Sequence, residues 1–147
     1  MMRSLPSFNR LRKKSILWVL AALLSLVETP VFADDGPTIT RIDHASLSGG
    51  RMQIDIYSST ALPSPRVFRT SAPDRIVLDF FGVRSELKSS MIDVGRGAIE
   101  NILIAQDEER SRMVINLISA VGFVSEVADN RLTLVMDPVI AGSGDGA

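Results

Sequence analysis

One histidine, no cysteine and a scatter of carboxylates are what this 147-residue chain offers for catalysis. His44 sits in strand-like sequence. A general base needs partners to hold and tune it, so a solvated or packed imidazole is the better reading. Zinc is held by His, Cys or carboxylate ligands in close array, and neither H-E-x-x-H nor C-x-x-C occurs. Asp107-Glu108-Glu109 could offer oxygens to calcium, but it lacks the alternating ligand spacing of a calcium loop and reads as a solvated hairpin turn. Gly95-x-Gly97 is followed by neither a Lys-Ser/Thr pair nor a clear helix, so it is no phosphate loop. The expectation is no enzyme, no metal and no cofactor.

Binding chemistry is a different matter. In Arg75-Ile76-Val77-Leu78-Asp79-Phe80-Phe81, Ile76, Leu78 and Phe80 alternate with Arg75, Val77 and Asp79, the period of a strand with one buried face. In Arg51 to Tyr57, Met52, Ile54 and Ile56 alternate with Arg51, Gln53, Asp55 and Tyr57. If the apolar sets face a core, the polar sets share the opposite surface. Arg112, Val114, Asn116, Arg131, Thr133 and Val135 do the same in the second half. Arg51, Asp55, Tyr57, Arg75, Asp79, Arg112 and Asn116 are thus the candidate ligand-binding residues. Planar polar side chains suit sugars and peptides, and the arginine fork suits peptide carboxylates. The plainer reading is that Arg75 and Asp79 only pair with residues on neighbouring strands, for small gains. Aromatic residues make up only 5% of the chain, and Trp18 lies near the amino terminus, so affinity from stacking is modest.

The elements that must position these residues read as strands throughout. Thr38 to Leu47 is rich in β-branched residues, and Ser48-Gly49-Gly50 is a hairpin turn. Arg51 to Tyr57 follows, then a loop bracketed by Pro63 and Pro65, a short edge-type strand from Val67, and the strand from Arg75 to Phe80. The crossover from Gly82 to Ala98 is expected to hold a helical turn near Ser85 to Ser90. Strands then run Ile99 to Gln106, Arg112 to Ile118, Gly122 to Ala128 and Arg131 to Met136. The two halves repeat. Ile39-Thr40-Arg41-Ile42 answers to Ile99-Glu100-Asn101-Ile102, Arg51 to Ile56 answers to Arg112 to Leu117, and the Arg75 strand answers to the Arg131 strand. The expected fold is all-β, a β-sandwich of two pseudo-symmetric antiparallel sheets packed face to face.

The ends of the chain set its address and its charge. Arg3, Arg10, Arg12, Lys13 and Lys14 precede an apolar run from Ser15 to Val27, and Val31-Phe32-Ala33 supplies the small residues of a cleavage site. Residues 1–33 are expected to be a signal peptide cut before Asp34. An uncleaved anchor competes with this, but a membrane span needs roughly 20 apolar residues. The domain is expected at 38–138 and a flexible Gly/Ser-rich tail at 139–147. The whole chain has 16 Lys+Arg and 17 Asp+Glu. Residues 1–33 hold five of the basic residues and Glu28, which leaves 11 against 16, a net charge of −5. Nucleic acid held by bulk charge is therefore not among the expected partners. No second hydrophobic run follows, so no membrane span is expected after signal cleavage. A cysteine-free exported domain must stand on its core, as a periplasmic protein can.

These residues resemble a known family. Pro65-Arg66-Val67-Phe68, Asp74-Arg75-Ile76-Val77-Leu78-Asp79-Phe80 closing on Gly82, and Val94-Gly95-Arg96-Gly97 leading into Ile99 are similar to the AMIN domain. The likeness is in particular to the amino-terminal AMIN module of type IV pilus secretins. Arg110 to Leu117 and Asn130-Arg131-Leu132-Thr133-Leu134 fit the same pattern, so the likeness covers nearly all of Thr38 to Asp137. It implies a periplasmic β-sandwich that binds peptidoglycan and localises the envelope machine it belongs to, with a secretin or pilus-assembly proteins as further partners. The alternative function is a protein-docking module that binds a pilus-assembly lipoprotein or partner subunit through a sheet edge, with Val67 to Thr70 as that edge.

Overall fold

The alternation seen in the sequence becomes ten strands in a computed structural model that describes residues 36–140. They are β1 (Thr38–Ser46), β2 (Met52–Ser58), β3 (Arg66–Thr70), β4 (Arg75–Phe81), β5 (Arg84–Ser85), β6 (Met91–Arg96), β7 (Ile99–Gln106), β8 (Arg110–Leu117), β9 (Phe123–Ala128) and β10 (Arg131–Met136). The first sheet has the order β5-β1-β2-β10-β9 and the second the order β3-β4-β8-β7-β6. All pairings are antiparallel except the two-residue contact of β5 with β1, which is parallel. The leader and residues 141–147 of the tail lie outside the described residues.

The core is made where the two inner faces meet. Ile39, Met52, Ile54, Ile56, Leu132, Leu134 and Met136 come from the first sheet. Ile76, Leu78, Phe80, Ile99, Ile102, Met113 and Ile115 come from the second. All are buried, and each stabilises the fold by about 1.5–3 kcal/mol through removal from water. Leu62, Val83, Ala98 and Val121, in the connections, close the ends of this layer.

The internal repeat is real and generates both sheets. Mapping β1, β2, β10 and β9 onto β7, β8, β4 and β3 turns the first sheet's order into the second's. Both copies carry a register irregularity at the same place, Ile39/Arg41 in one and Ile99/Asn101 in the other. End-of-strand bonds repeat as well. Ser58 N donates to Asn130 O at 2.8 Å, as Leu117 N does to Asp74 O at 3.0 Å. Ser59 N donates to Thr38 O, as Ile118 N does to Ala98 O, both at 2.9 Å.

Two expectations need correction. The sequence match of Arg51–Ile56 with Arg112–Leu117 is displaced by two residues: Ile56 pairs with Leu132 and Ile115 pairs with Ile76, so Ile56 corresponds to Ile115. A shift of two keeps every side chain on its own face, which is why the pattern alone could not expose it. The helical turn near Ser85 to Ser90 is absent. That stretch is β5 followed by irregular chain leading into β6, because Arg84 and Ser85 find a ladder beside β1 and Ile92 packs against the core.

Candidate ligand-binding face

The outer face of the second sheet collects unusual chemistry for a solvent-facing surface. Because cross-strand partners lie on the same face, pairing places Arg75 beside Asn116, Val77 beside Val114, Asp79 beside Arg112 and Phe81 beside Arg110. β3 adds Arg66 next to Asp79 and Phe68 next to Val77. β7 adds Asn101 next to Asn116 and Leu103 next to Val114, and β6 puts Met91 next to Leu103.

Three rows result. The middle one, Phe68–Val77–Val114–Leu103–Met91, crosses all five strands and is wholly apolar. At strand spacings near 4.8 Å it is about 19 Å long. Phe68, Leu103 and Met91 are 38%, 37% and 48% exposed, so the stripe reaches solvent toward both edges of the sheet, while Val77 between them is buried. On one side lies Arg66–Asp79–Arg112, on the other Arg75–Asn116–Asn101.

Asp79 anchors the first polar row. It is buried, 3% exposed. Arg112 grips it with both ends of its fork, Nε to Oδ1 at 2.6 Å and Nη2 to Oδ2 at 2.7 Å. Arg110 Nη1 adds a bond to Oδ2 at 3.2 Å. The hydrogen bond from Arg112 is the main cause holding the Asp79 carboxyl below the usual aspartate value; desolvation opposes it, and the charges of Arg112, Arg110 and Arg66 assist. The same pair raises Arg112 above its ordinary value. Arg66 and Arg110 lie over the Phe81 ring, 5.4 and 5.8 Å from its centroid, and Arg112 lies 5.8 Å from that of Phe68. On the other side Arg75 Nε donates to Asn116 Oδ1 at 2.8 Å, and Asn116 Nδ2 donates to Asn101 Oδ1 at 2.6 Å. Apart from Arg66, which lies over Phe81 without a polar partner among the described residues, each row is thus pre-oriented by its own bonds.

Of the seven residues picked from the sequence, the structure brings Arg75, Asp79, Arg112 and Asn116 together on this face. It does not bring Arg51, Asp55 and Tyr57 to them. β2 and β4 belong to different sheets, so Asp55 and Tyr57 point out from the opposite side of the sandwich. There Asp55 accepts from Thr133 Oγ1 and Gln53 Nε2, both at 2.6 Å, and Tyr57 lies under Arg41 at 4.0 Å. Arg51 precedes β2 and bonds the hairpin turn, Nε to Ser48 O at 3.4 Å. Alternation assigns a side chain to inside or outside but not to one of two outsides. Phe68, Arg66, Leu103, Met91 and Arg110 were not among the seven, since their place on this face depends on cross-strand register. The one available signal was the alternation of Arg66 and Phe68 in β3.

His44 is exposed, and no group of three or more His, Cys, Asp or Glu placed to hold a metal ion occurs among the described residues. Asp107 bonds the backbone N–H groups of Glu109 and Arg110, both at 2.9 Å, which lowers its carboxyl's pKa and shapes the β7–β8 turn. Among the described residues no helix is long and apolar enough to cross a membrane.

Fold and face together define a class: a duplicated β-sandwich module that presents its polar chemistry on open sheet surfaces. The chain belongs to the AMIN domain family, whose model matches residues 41–136, from β1 to the end of β10. It is 25% identical over 124 residues to the fimbrial assembly protein PilQ of Pseudomonas aeruginosa, covering 84% of this chain and 17% of that protein. It is 26% identical over 99 residues to the type IV pilus biogenesis and competence protein PilQ of Neisseria gonorrhoeae, covering 67% of this chain and 14% of that protein. The PilQ protein of Neisseria meningitidis serogroup B matches over the same length at the same identity, with 13% of that protein covered. The chain therefore spans less than a fifth of these curated relatives. The likeness to the AMIN module of type IV pilus secretins is borne out.

Proposed function

We propose that this chain is a non-catalytic module that binds peptidoglycan in the periplasm and so localises a type IV pilus secretin or a related envelope machine. The observation that carries this reading is the outer face of the second sheet, an exposed apolar stripe between two pre-oriented polar rows. Apolar side chains suit the CH faces of sugar rings and the methyl groups of peptides, and guanidinium forks suit carboxylates. Membership in the AMIN family and the PilQ relatives support the envelope setting. Residues 1–33 act as the export signal, and retention is strengthened by many copies facing a polymeric wall. The experiment is co-sedimentation of the purified chain with sacculi, with release by soluble muropeptides. A chain that stays in the supernatant at all protein concentrations refutes wall binding.

A second reading has its own observation. β3 is an edge strand of the second sheet, so its outer backbone groups have no ladder partner within the sheet. A pilus-assembly lipoprotein or partner subunit could add a strand there. Arg66 and Phe68 belong to both readings, whereas the stripe beyond β4 belongs only to the first. Leu103→Ser weakens sacculus binding under the first reading and leaves strand addition intact under the second.

A further inference from the structure

The repeat allows the two outer faces to be compared position by position. The strand mapping sends the stripe Phe68–Val77–Val114–Leu103 onto Glu126–Thr133–Asp55–Asp43, the central row of the first sheet. One row is apolar where its counterpart is acidic. Arg66, Asp79 and Arg112 map onto Val124, Val135 and Gln53, so of the arginine cluster only Arg110, which maps onto Arg51, has a basic counterpart. Beyond residue 33 the chain carries a net charge of −5, yet this one face gathers Arg66, Arg110 and Arg112. Two carboxylates answer them. Asp79 is taken up by Arg112 and Arg110, and Asp107 lies 3.3 Å from Arg110. Arg66 makes no ion pair within 4.0 Å among the described residues and is exposed. A free guanidinium is left beside an apolar stripe on an acidic molecule.

The wall polymer offers this face two kinds of surface. Its N-acetylated glycan backbone is close to neutral, whereas its stem peptides carry carboxylates and alanine methyl groups side by side. Resting on the wall-binding reading above, we infer that the outer face of the second sheet recognises the stem peptide, with a carboxylate at Arg66 and Arg112 and methyl groups along Phe68, Val114 and Leu103. Asp79 is a positioning residue, holding the Arg112 fork in plane so that its remaining N–H edge meets the ligand. The acidic row of the first sheet repels the same carboxylates, so only one side of the sandwich faces the wall.

The test compares binding of the purified chain to three preparations: intact sacculi, glycan strands freed of peptide by an N-acetylmuramoyl-L-alanine amidase with the lactyl carboxylates this exposes capped as neutral amides, and sacculi whose carboxylates are capped as neutral amides. The expected result is binding to intact sacculi that falls at least tenfold on both treated preparations and weakens with added salt. Arg66→Gln and Arg112→Gln each reduce binding about tenfold, while Arg131→Gln, the same charge change on the first sheet's outer face, leaves it unchanged. Arg66 is exposed on an edge strand, so its variant folds even if the Arg112 variant does not. Equal binding to intact sacculi and peptide-free glycan overturns the stem-peptide inference and leaves wall binding standing. Loss on Arg131→Gln equal to that on Arg66→Gln overturns the assignment to one face. No binding to intact sacculi overturns the wall reading and this inference with it.

Discussion

Replacing Asp79 by asparagine is the sharpest probe of this face, because it keeps the shape and removes one buried charge. The carboxylate is 3% exposed and receives three bonds, at 2.6, 2.7 and 3.2 Å. Hydrogen bonds to charged groups contribute about 1.5–3 kcal/mol each, against about 1 kcal/mol for neutral ones. Asparagine retains one acceptor, and the side chains of Arg110 and Arg112 are 31% and 37% exposed and can recover water. The expected loss is therefore about 2 kcal/mol, above the ~0–1 kcal/mol of an exposed pair. For a domain of this size that lowers the melting midpoint by roughly 8–16 °C. The pH dependence follows from the depressed pKa of Asp79. Its stabilising contribution is complete above the unfolded-state value of about 3.9 and is lost as pH falls through the lower folded value. The gap between wild type and Asp79→Asn should thus be constant from pH 5 to 7 and narrow by about 1.4 kcal/mol per pH unit below pH 4. Urea melts followed by far-UV circular dichroism measure it, since the chain beyond residue 33 contains no tryptophan. A gap under about 0.5 kcal/mol at pH 7, the scale of a surface pair, or one that persists undiminished at pH 3, refutes the argument.

Other outcomes are as definite. Gly97 has φ +56° and a Cβ there would overlap the Met52 side chain, so Gly97→Ala should cost about 1–3 kcal/mol in urea melts; Gly49→Ala, at φ +76° but in open space, should cost less. Arg75→Ala, whose side chain is exposed and bonds Asn116, should lower stability by no more than about 1 kcal/mol and weaken sacculus co-sedimentation by about 1–3 kcal/mol. Unchanged binding by the folded variant removes Arg75 from the site. Amino-terminal sequencing of exported protein should return Asp34, and recovery of Met1 would refute the cleavage reading.

The fold was largely legible because eight of the ten strands announce themselves by alternation or β-branched composition. Ile76, Leu78 and Phe80 had to be inside, and they are. β5 and β6 were not legible. β5 is two residues long, and β6 contains Gly95 and a register irregularity between Asp93 and Arg96, so neither shows a clean period. The candidate face was half legible. Outward residues could be identified one strand at a time, but sheet membership is a long-range property, and Asp55 and Asp79 read alike while pointing from opposite sides. The burial of Asp79 was also hidden, since it depends on Arg112, 33 residues away in the chain.

Why duplication kept the inside and released the outside follows from packing. Inner positions of both copies meet in one close-packed layer, where a change of one methylene is felt by neighbours from both sheets. Ile54 and its counterpart Met113, or Leu134 and Leu78, are accordingly all apolar and fully buried. Outer positions touch only their own sheet, and exchanging Val114 for an aspartate like Asp55 costs little folding energy so long as a neighbour such as Thr133 donates to it. The two outer faces were thus free to take different chemistry on one backbone plan. The buried Asp79 is the exception, an outward position with the burial of a core residue. The backbone plan itself does not demand a charge there, because its counterpart Val135 sits in the same ladder position without one. What the charge adds is a fixed arginine fork at a solvent-facing stripe, the arrangement on which the proposed binding role rests.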